Sequence, residues 1–387
     1  MIGQAFLATF RAILADRAAL LLLVGSAIVY SFFYPAAYSG EVVVRIPVAV
    51  VDNDHTAASR AFIIKAQGLQ QAEIVAQAAS SQEALRLMSE RRIDAFVLIP
   101  AGFERAVLRG EQGHVALYGN GAFLLRSSTS LASLGTALAA LGREAAVGQA
   151  MATGAPAAAP LAVTARPLFN TREGYGATVV PGVTFLIIQQ TMVMGIGMLA
   201  ATRREARGPH ALSPAEFTGT ALAFFAIGLS VVLYYIGFVF WFQDYPRAAA
   251  RALTLAVSAT LFVAAVVCGA LALGSFFRTR ERPVQLWILT SLPIFFLSNL
   301  SWPVEQTPAW LAALARLLPT TPGIHLMVGA NQMGASLGEQ APELANLLLL
   351  ILLYGTIAYA RLVSPPPRPR RRGDDCRRRL RTPRLRS

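Results

Sequence analysis

The densest run of side-chain chemistry in this sequence is Arg203-Arg204-Glu205-Ala206-Arg207-Gly208, with Ser213 and Glu216 a short way beyond. Clustered charges of both signs suit the docking of another protein or the marking of one membrane face. They have no spacing for covalent or metal chemistry. Other reactive residues are scattered. No Gly-rich loop leads into Lys-Ser or Lys-Thr, so no nucleotide cradle is written, and Lys65, the only lysine, has no such context. His55, His114, His210 and His325 lack metal-ligand spacing. No serine sits in a Gly-x-Ser-x-Gly elbow. Asp52 and Asp54 form a tempting acid pair at the end of a β-branched run. Turn formation is the first reading of that pair, and ligand or metal binding the second. No residue is assigned a catalytic, cofactor-binding or metal-binding role.

The stretch that must position the charged cluster is a membrane span. Arg172 and Glu173 are followed by 174–202 without a charge. At ~1.5 Å per residue that run crosses ~30 Å of hydrocarbon. Val180, Pro181 and Gly182 stand near its start, and the proline is expected in the first turn of the helix, where its missing N–H is tolerated.

Composition agrees. Hydrophobic residues make up 55% of the chain and charged ones 14%, against about 25% charged in soluble domains. Mean hydropathy is +0.51. The net charge of +13 does not signal nucleic acid, because 11 arginines fall in 361–387 and others lie in short loops, as the positive-inside rule expects. Cys268 and Cys376 cannot build a disulfide framework. The fold class expected is a polytopic α-helical membrane protein with six transmembrane helices and an inserted small α/β extracytoplasmic domain.

Taken in order, 1–17 is an amphipathic cytoplasmic interfacial helix, with Ile2, Phe6, Phe10 and Ile13 opposite Gln4 and Arg11. The first span is 18–38, read as an uncleaved signal anchor because it is long enough to cross. Segment 39–173 is soluble in character, with nearly balanced charge. Strands are expected at 45–51, 73–77, 94–100 and 114–118, and helices at 56–67 and 81–92, the second capped by Ser81. A long helix at 127–142 then leads into a flexible Ala/Pro segment, 145–165. The second span, 174–202, is followed by a cytoplasmic loop, 203–216. Spans three to six are 217–242, 252–277, 283–302 and 344–360, with Trp287 and Trp302 at the interfaces. Between the last two, 303–343 is extracytoplasmic and 317–338 is re-entrant, because Pro319, Pro322, Asn331 and Gln332 suit packing against protein better than lipid. The basic tail, 361–387, is cytoplasmic, and is either a binder of anionic headgroups or unselected sequence. Both termini are then cytoplasmic.

The order of these features resembles the membrane-spanning subunits of ABC-2 type transporters, in particular the group with a large extracytoplasmic domain between the first two helices. Asp16-Arg17 before a Leu-rich helix resembles the family's opening, and Val48 to Asp54 its first outer strand. Phe169-Asn170 followed by Val180-Pro181-Gly182 is similar to the start of its second helix. Thr202 to Gly208, continued by Leu212 to Phe217, looks like its Arg/Glu-rich loop. Leu297-Ser298-Asn299, Trp302-Pro303, Thr307-Pro308-Ala309-Trp310 and Pro319-Thr320-Thr321-Pro322 resemble the region after the fifth helix. Three departures stand out: Thr171 where the family usually has proline, Gly219-Thr220 where the third helix often carries a basic residue, and the arginine tail.

The resemblance implies a permease subunit, not an enzyme. It pairs with a second permease subunit, identical or closely related. Its loop Arg203, Arg204, Glu205, Arg207, Gly208, Ser213 and Glu216 engages a separate ABC ATPase subunit, which carries ATP and Mg. It exports an amphipathic or hydrophobic compound from a bacterial cell through the inner membrane, with a periplasmic adaptor and an outer-membrane channel as further partners. The competing expectation is a non-transporting receptor or scaffold that uses its outer domain to bind a ligand. The orientation is checked with Ser81→Cys. A membrane-impermeant maleimide should label that variant in intact spheroplasts, and labelling only after lysis would reverse the topology.

Overall fold

The computed structural model describes residues 1–40, 42–109, 111, 113–153, 174–208, 210–247, 252–303 and 306–363. Residues 145–153, expected in the flexible Ala/Pro segment, continue the helix Leu124–Thr153; the rest of that segment, the Asn170-Thr171 pair and the arginine tail beyond Val363 lie outside the described residues. Two compact units form, Gly40–Pro167 and the remainder of the chain.

The smaller unit is built on a four-stranded sheet of order β2-β1-β3-β4, comprising β1 (Ile46–Asp52), β2 (Ala72–Gln77), β3 (Ala95–Ile99) and β4 (Ala116–Gly119). β1 is parallel to β2 and β3, and β4 is antiparallel to β3. Alternation along β1 sends Val48 and Val50 to one core, with Phe62, Ile63, Phe103 and Leu134, and Ala49 and Val51 to the other, with Ala84, Leu87 and Phe96. Both faces are therefore covered, which explains an unbroken apolar run in place of an alternating one. α3 (Ala57–Gln67), α5 (Phe103–Leu108) and α6 (Leu124–Thr153) supply the first core, and α4 (Ser81–Ser89) the second.

The helix expected at 81–92 is shorter than its sequence suggests. Ser80, not Ser81, is its cap and accepts from the Glu83 amide, and the helix stops at Ser89, just before Arg91 turns the backbone to φ +59°. The acid pair is wholly engaged in shaping the ends of the strands. Asp52 Oδ1 accepts from the amides of Asp54 and His55, and its Oδ2 from Ser59 Oγ. Asp54 accepts the amides of Gly102, Phe103 and Glu104, the orphan donors of α5, together with the Thr56 hydroxyl. Burial pushes the Asp54 carboxyl up, but the Thr56 hydroxyl and the three amides outweigh it and hold it below the usual carboxylate range.

The larger unit is helical. α1 (Ile2–Ala15) is followed by five helices long and apolar enough to cross a membrane: α2 (Arg17–Ala37), α7 (Tyr175–Arg207), α8 (Pro214–Phe242), α9 (Ala252–Gly274) and α13 (Ala341–Leu362). Between α9 and α13 stand α10 (Arg282–Leu297) and a pair, α11 (Ala309–Ala315) and α12 (Thr320–Met333), bent by 78°, which makes a sixth traverse if counted as one. α7 is the axis: 83% of its most apolar window is buried, against 17% for α13 at the periphery.

The region expected to hold the span 283–302 is built differently. α10 has 16 residues, about 24 Å by helical rise, short of the ~30 Å of hydrocarbon. It starts where Pro283 and Phe277 pack beside Gly197 of α7 and ends before Leu300, which lies against Gly182. α12 finishes with Gln332 at the carbonyl of Ala177, at the far end of α7. Segment 282–333 as a whole thus makes one net passage along α7.

Asp54→Ala should remove the α5 cap at a cost of about 1–2 kcal/mol. Amide exchange over 102–108 in the full chain should then rise roughly tenfold. In the parent chain this protection is complete above the unfolded carboxyl value of about 4 and is lost as pH falls through the lower folded value. Unchanged exchange would show that Asp54 does not hold α5.

Candidate functional site

The Arg/Glu cluster does not lie in a loop. α7 continues through it and ends only at Gly208, whose φ of +74° and ψ of −179° suit glycine alone. The connection to α8 is short. Leu212 N–H donates to Leu362 O at the end of α13. Ser213 and Glu216 form a reciprocal capping box, with Pro214 in the first turn of α8. The Arg207 side chain lies outside the described residues.

At this end of the bundle the charged side chains clasp helix termini to one another. Arg204, on α7, donates from Nη1 to Ser275 O at 2.9 Å and to Phe277 O, carbonyls left without helical partners where α9 stops. Arg361, on α13, reaches the same turn. Its Nε donates to Ser275 Oγ at 2.9 Å, and its guanidinium lies 3.8 Å over the Phe276 ring. Arg280 makes a two-pronged pair with Asp16, Nη2 to Oδ1 at 2.7 Å and Nη1 to Oδ2 at 2.8 Å. Arg280 Nη1 also donates to Thr202 Oγ1, and its backbone N–H to Glu205 Oε1.

Asp16 is the joint between α1 and α2. Its backbone leaves the helix at φ −95° and ψ 102°, and its Oδ1 accepts from the amides of Ala18 and Ala19. The Arg280 guanidinium, opposed by burial and aided by those amides, holds its carboxyl below the usual range. Arg203 donates to Thr9 Oγ1, which also bonds Thr220 Oγ1 at 3.1 Å. This accounts for Gly219-Thr220: a Cβ at Gly219 would stand 2.5 Å from Ile2 O, so α1 can seat on α8 only beside a glycine. Of the residues singled out in sequence, the structure brings together Arg203, Arg204 and Glu205, and leaves Ser213 and Glu216 to cap α8. Asp16, Thr202, Arg280 and Arg361 complete the clasp. Of these, Asp16 carried a signal as an acid directly before a helix, Thr202 headed the Arg/Glu-rich run and Arg361 the basic tail, while nothing local marked Arg280 for this role.

The other end of α7 holds the Val180-Pro181-Gly182 motif. Its placement corrects the expectation, because α7 starts at Tyr175 and puts Pro181 in the second turn. A proline there cannot donate to the carbonyl four residues back, Ala177 O. Gln332 Nε2, at the end of α12, supplies that bond at 3.2 Å. Midway along α7, Gln190 Oε1 accepts from Trp287 Nε1 at 2.7 Å, so Trp287 sits at mid-depth and not at an interface.

A chain of apolar helices around a single buried axis, bound at one end by a basic clasp, is the architecture of a polytopic helical membrane protein. Residues 17–360 match the family described as ABC-2 family transporter protein, and the chain belongs to that family. No curated protein matches it. Membership makes the chain a multi-pass permease of an ABC transporter, a family whose members pair with an ABC ATPase.

Loss of the clasp should be graded by what each side chain holds. Arg204→Met strands two carbonyls, and charged hydrogen bonds contribute about 1.5–3 kcal/mol each. It should lower the Tm of the detergent-purified chain by several degrees. Arg280→Lys keeps the charge but not the fork, and should cost less. A Tm unchanged by Arg204→Met would remove the clasp as a structural device.

Proposed function

We propose that the chain is the permease subunit of an ATP-driven exporter, working as a pair with an identical or closely related subunit. Each subunit is driven by a separate ATPase that carries ATP and Mg. The clasp is the observation that supports this reading. It ties the ends of α7, α9 and α13 to the α1–α2 joint through Arg204, Arg361, Arg280 and Asp16. A motor pressing on the short exposed connection at His210 and Ala211 would move those ends as a block. Basic residues concentrated at this end, by the positive-inside rule, make it cytoplasmic in the inner membrane. The unit Gly40–Pro167 would then stand outside, where an adaptor leading to an outer-membrane channel would dock.

Amphipathic or hydrophobic cargo fits the uncharged middle of the helices. The polar groups that interrupt α7 at mid-depth, Gln189, Gln190 and Thr191, are neutral. Ion- or proton-coupled transport ordinarily places a charged residue there.

Because Arg204 is engaged within the fold, charge reversal at that position would disturb structure and coupling together. His210→Glu with Ala211→Glu separates the two. We expect this variant to insert and melt like the parent chain while losing partner-stimulated ATP turnover. Purification from the native membrane in mild detergent should bring down a stoichiometric ATPase with vanadate-sensitive activity. Recovery of the chain with no ATPase would overturn the exporter reading in favour of a receptor or scaffold.

A further inference from the structure

The largest unit carries a groove that transport does not account for. It lies between α2 and α8, encloses about 370 Å³, and is lined by Val24, Ala27 and Ile28 on one side and Ala226, Ser230 and Tyr234 on the other, with Phe10 of α1 across one end. Every polar group on its wall is already used. Ser230 Oγ donates to Ala226 O, Tyr234 Oη pairs with Ser31 Oγ, and the Ala27 carbonyl accepts from Tyr235 Oη. What remains facing the groove is hydrocarbon, on helices that cross a membrane. Ile28 is 49% exposed beside it, and Val29 and Leu233 nearby are more so.

Phe10 fixes which end of the groove meets the membrane surface. It belongs to the amphipathic α1, whose last residue leads into the Asp16 joint at the basic end. Arg11 and Arg17 are both exposed there, and neither has an ion pair among the described residues. Arg17 precedes Val24 by seven residues, about 10 Å along the helix axis. That separation suits a phosphate and glycerol above the first methylenes of an acyl chain.

We propose that this groove is a binding site for one anionic phospholipid, with an acyl chain between α2 and α8 and its phosphate between Arg11 and Arg17. Charge complementarity selects the occupant. An uncharged apolar molecule would fill the groove but make no use of the two exposed arginines at the basic end, whereas an anionic headgroup would engage both. A lipid wedged beside Phe10 would also help to seat α1 against α8. The proposal does not depend on export, on its direction or on a partner.

The test uses the full chain reconstituted with phosphatidylglycerol or phosphatidylcholine of identical acyl chains, followed by stepwise delipidation and native mass spectrometry. One phosphatidylglycerol per chain should survive conditions that strip the remainder. A basic residue near the surface is worth about 1 kcal/mol towards an anionic lipid, or about fivefold, so Arg11→Gln with Arg17→Gln should erase most of the preference over phosphatidylcholine. Ser230→Trp, at an exposed position, should fill the groove and abolish retention of either lipid, and Ile28→Trp should do so from the α2 side if the first variant fails to fold. Leu352→Trp, on the exposed face of α13, should have no effect. Equal retention of the two lipids by the parent chain, or a retained phosphatidylglycerol in a folded Ser230→Trp or Ile28→Trp variant, would overturn the proposal. A retained apolar molecule other than phospholipid would do the same.

Discussion

A backbone carbonyl in hydrocarbon must find its donor within the protein, since no water is present to supply one. Regular helix meets this demand by itself, but this bundle is not regular. It contains Pro181 within α7, a 78° bend between α11 and α12, and helix ends that stop inside the packed unit. At each break a side chain from another helix supplies the missing bond. Gln332 donates to Ala177 O, Thr321 to Leu297 O, and Tyr354 Oη to Leu317 O. The π-helical turn Gly329–Met333 has the Gln340 amide against it. In the orientation that satisfies both of its atoms, that amide bridges Leu326 O and Ala330 N. Several polar side chains of the bundle thus serve its backbone, whereas Gln189, Gln190, Ser258, Thr320 and Asn331 each keep a buried polar atom without a hydrogen-bond partner among the described residues.

The clasp at the basic end follows the same rule with charge added. Arg204 serves the carbonyls at the end of α9 as Gln332 serves the one freed by Pro181, but a guanidinium brings more donors and can bind two carbonyls at once. It can do so because this end adjoins water and a charge there is less costly than at mid-depth. Arg361 and Arg280 extend the arrangement to α13 and to the α1–α2 joint. The two ends of α7 are thus held differently, one by neutral amides and one by arginines, with Gln190–Trp287 between them.

The smaller unit meets the same demand at its strand ends. Asp52 and Asp54 look like a catalytic or metal-binding pair in sequence, yet their acceptor oxygens are taken by the amides and hydroxyls at the strand ends. Using carboxylates to close turns leaves both faces of the sheet free for apolar packing, with α3, α5 and α6 on one side and α4 on the other.

By itself the sequence determined whatever depends on local pattern. Long uncharged runs made the helices α2, α7, α8, α9 and α13, apolar runs with β-branched residues made β1 and β3, and the order of short motifs pointed to the family that residues 17–360 match. Hydropathy reports the free energy of a segment in lipid, which is a sum over neighbours in the chain. It does not report where a helix stops when its end packs against other helices. For that reason α10 closes at Leu297 in place of 302, α7 runs on through Arg203, Arg204 and Glu205, and Pro181 falls in a second turn. Only the tertiary structure decided these points, because each depends on a partner distant in the chain: Gln332 for the proline, Ser275 and Phe277 for Arg204, Asp16 for Arg280. A carbonyl's need for a donor is fixed by its own segment, but the donor is chosen by the packing of the whole bundle.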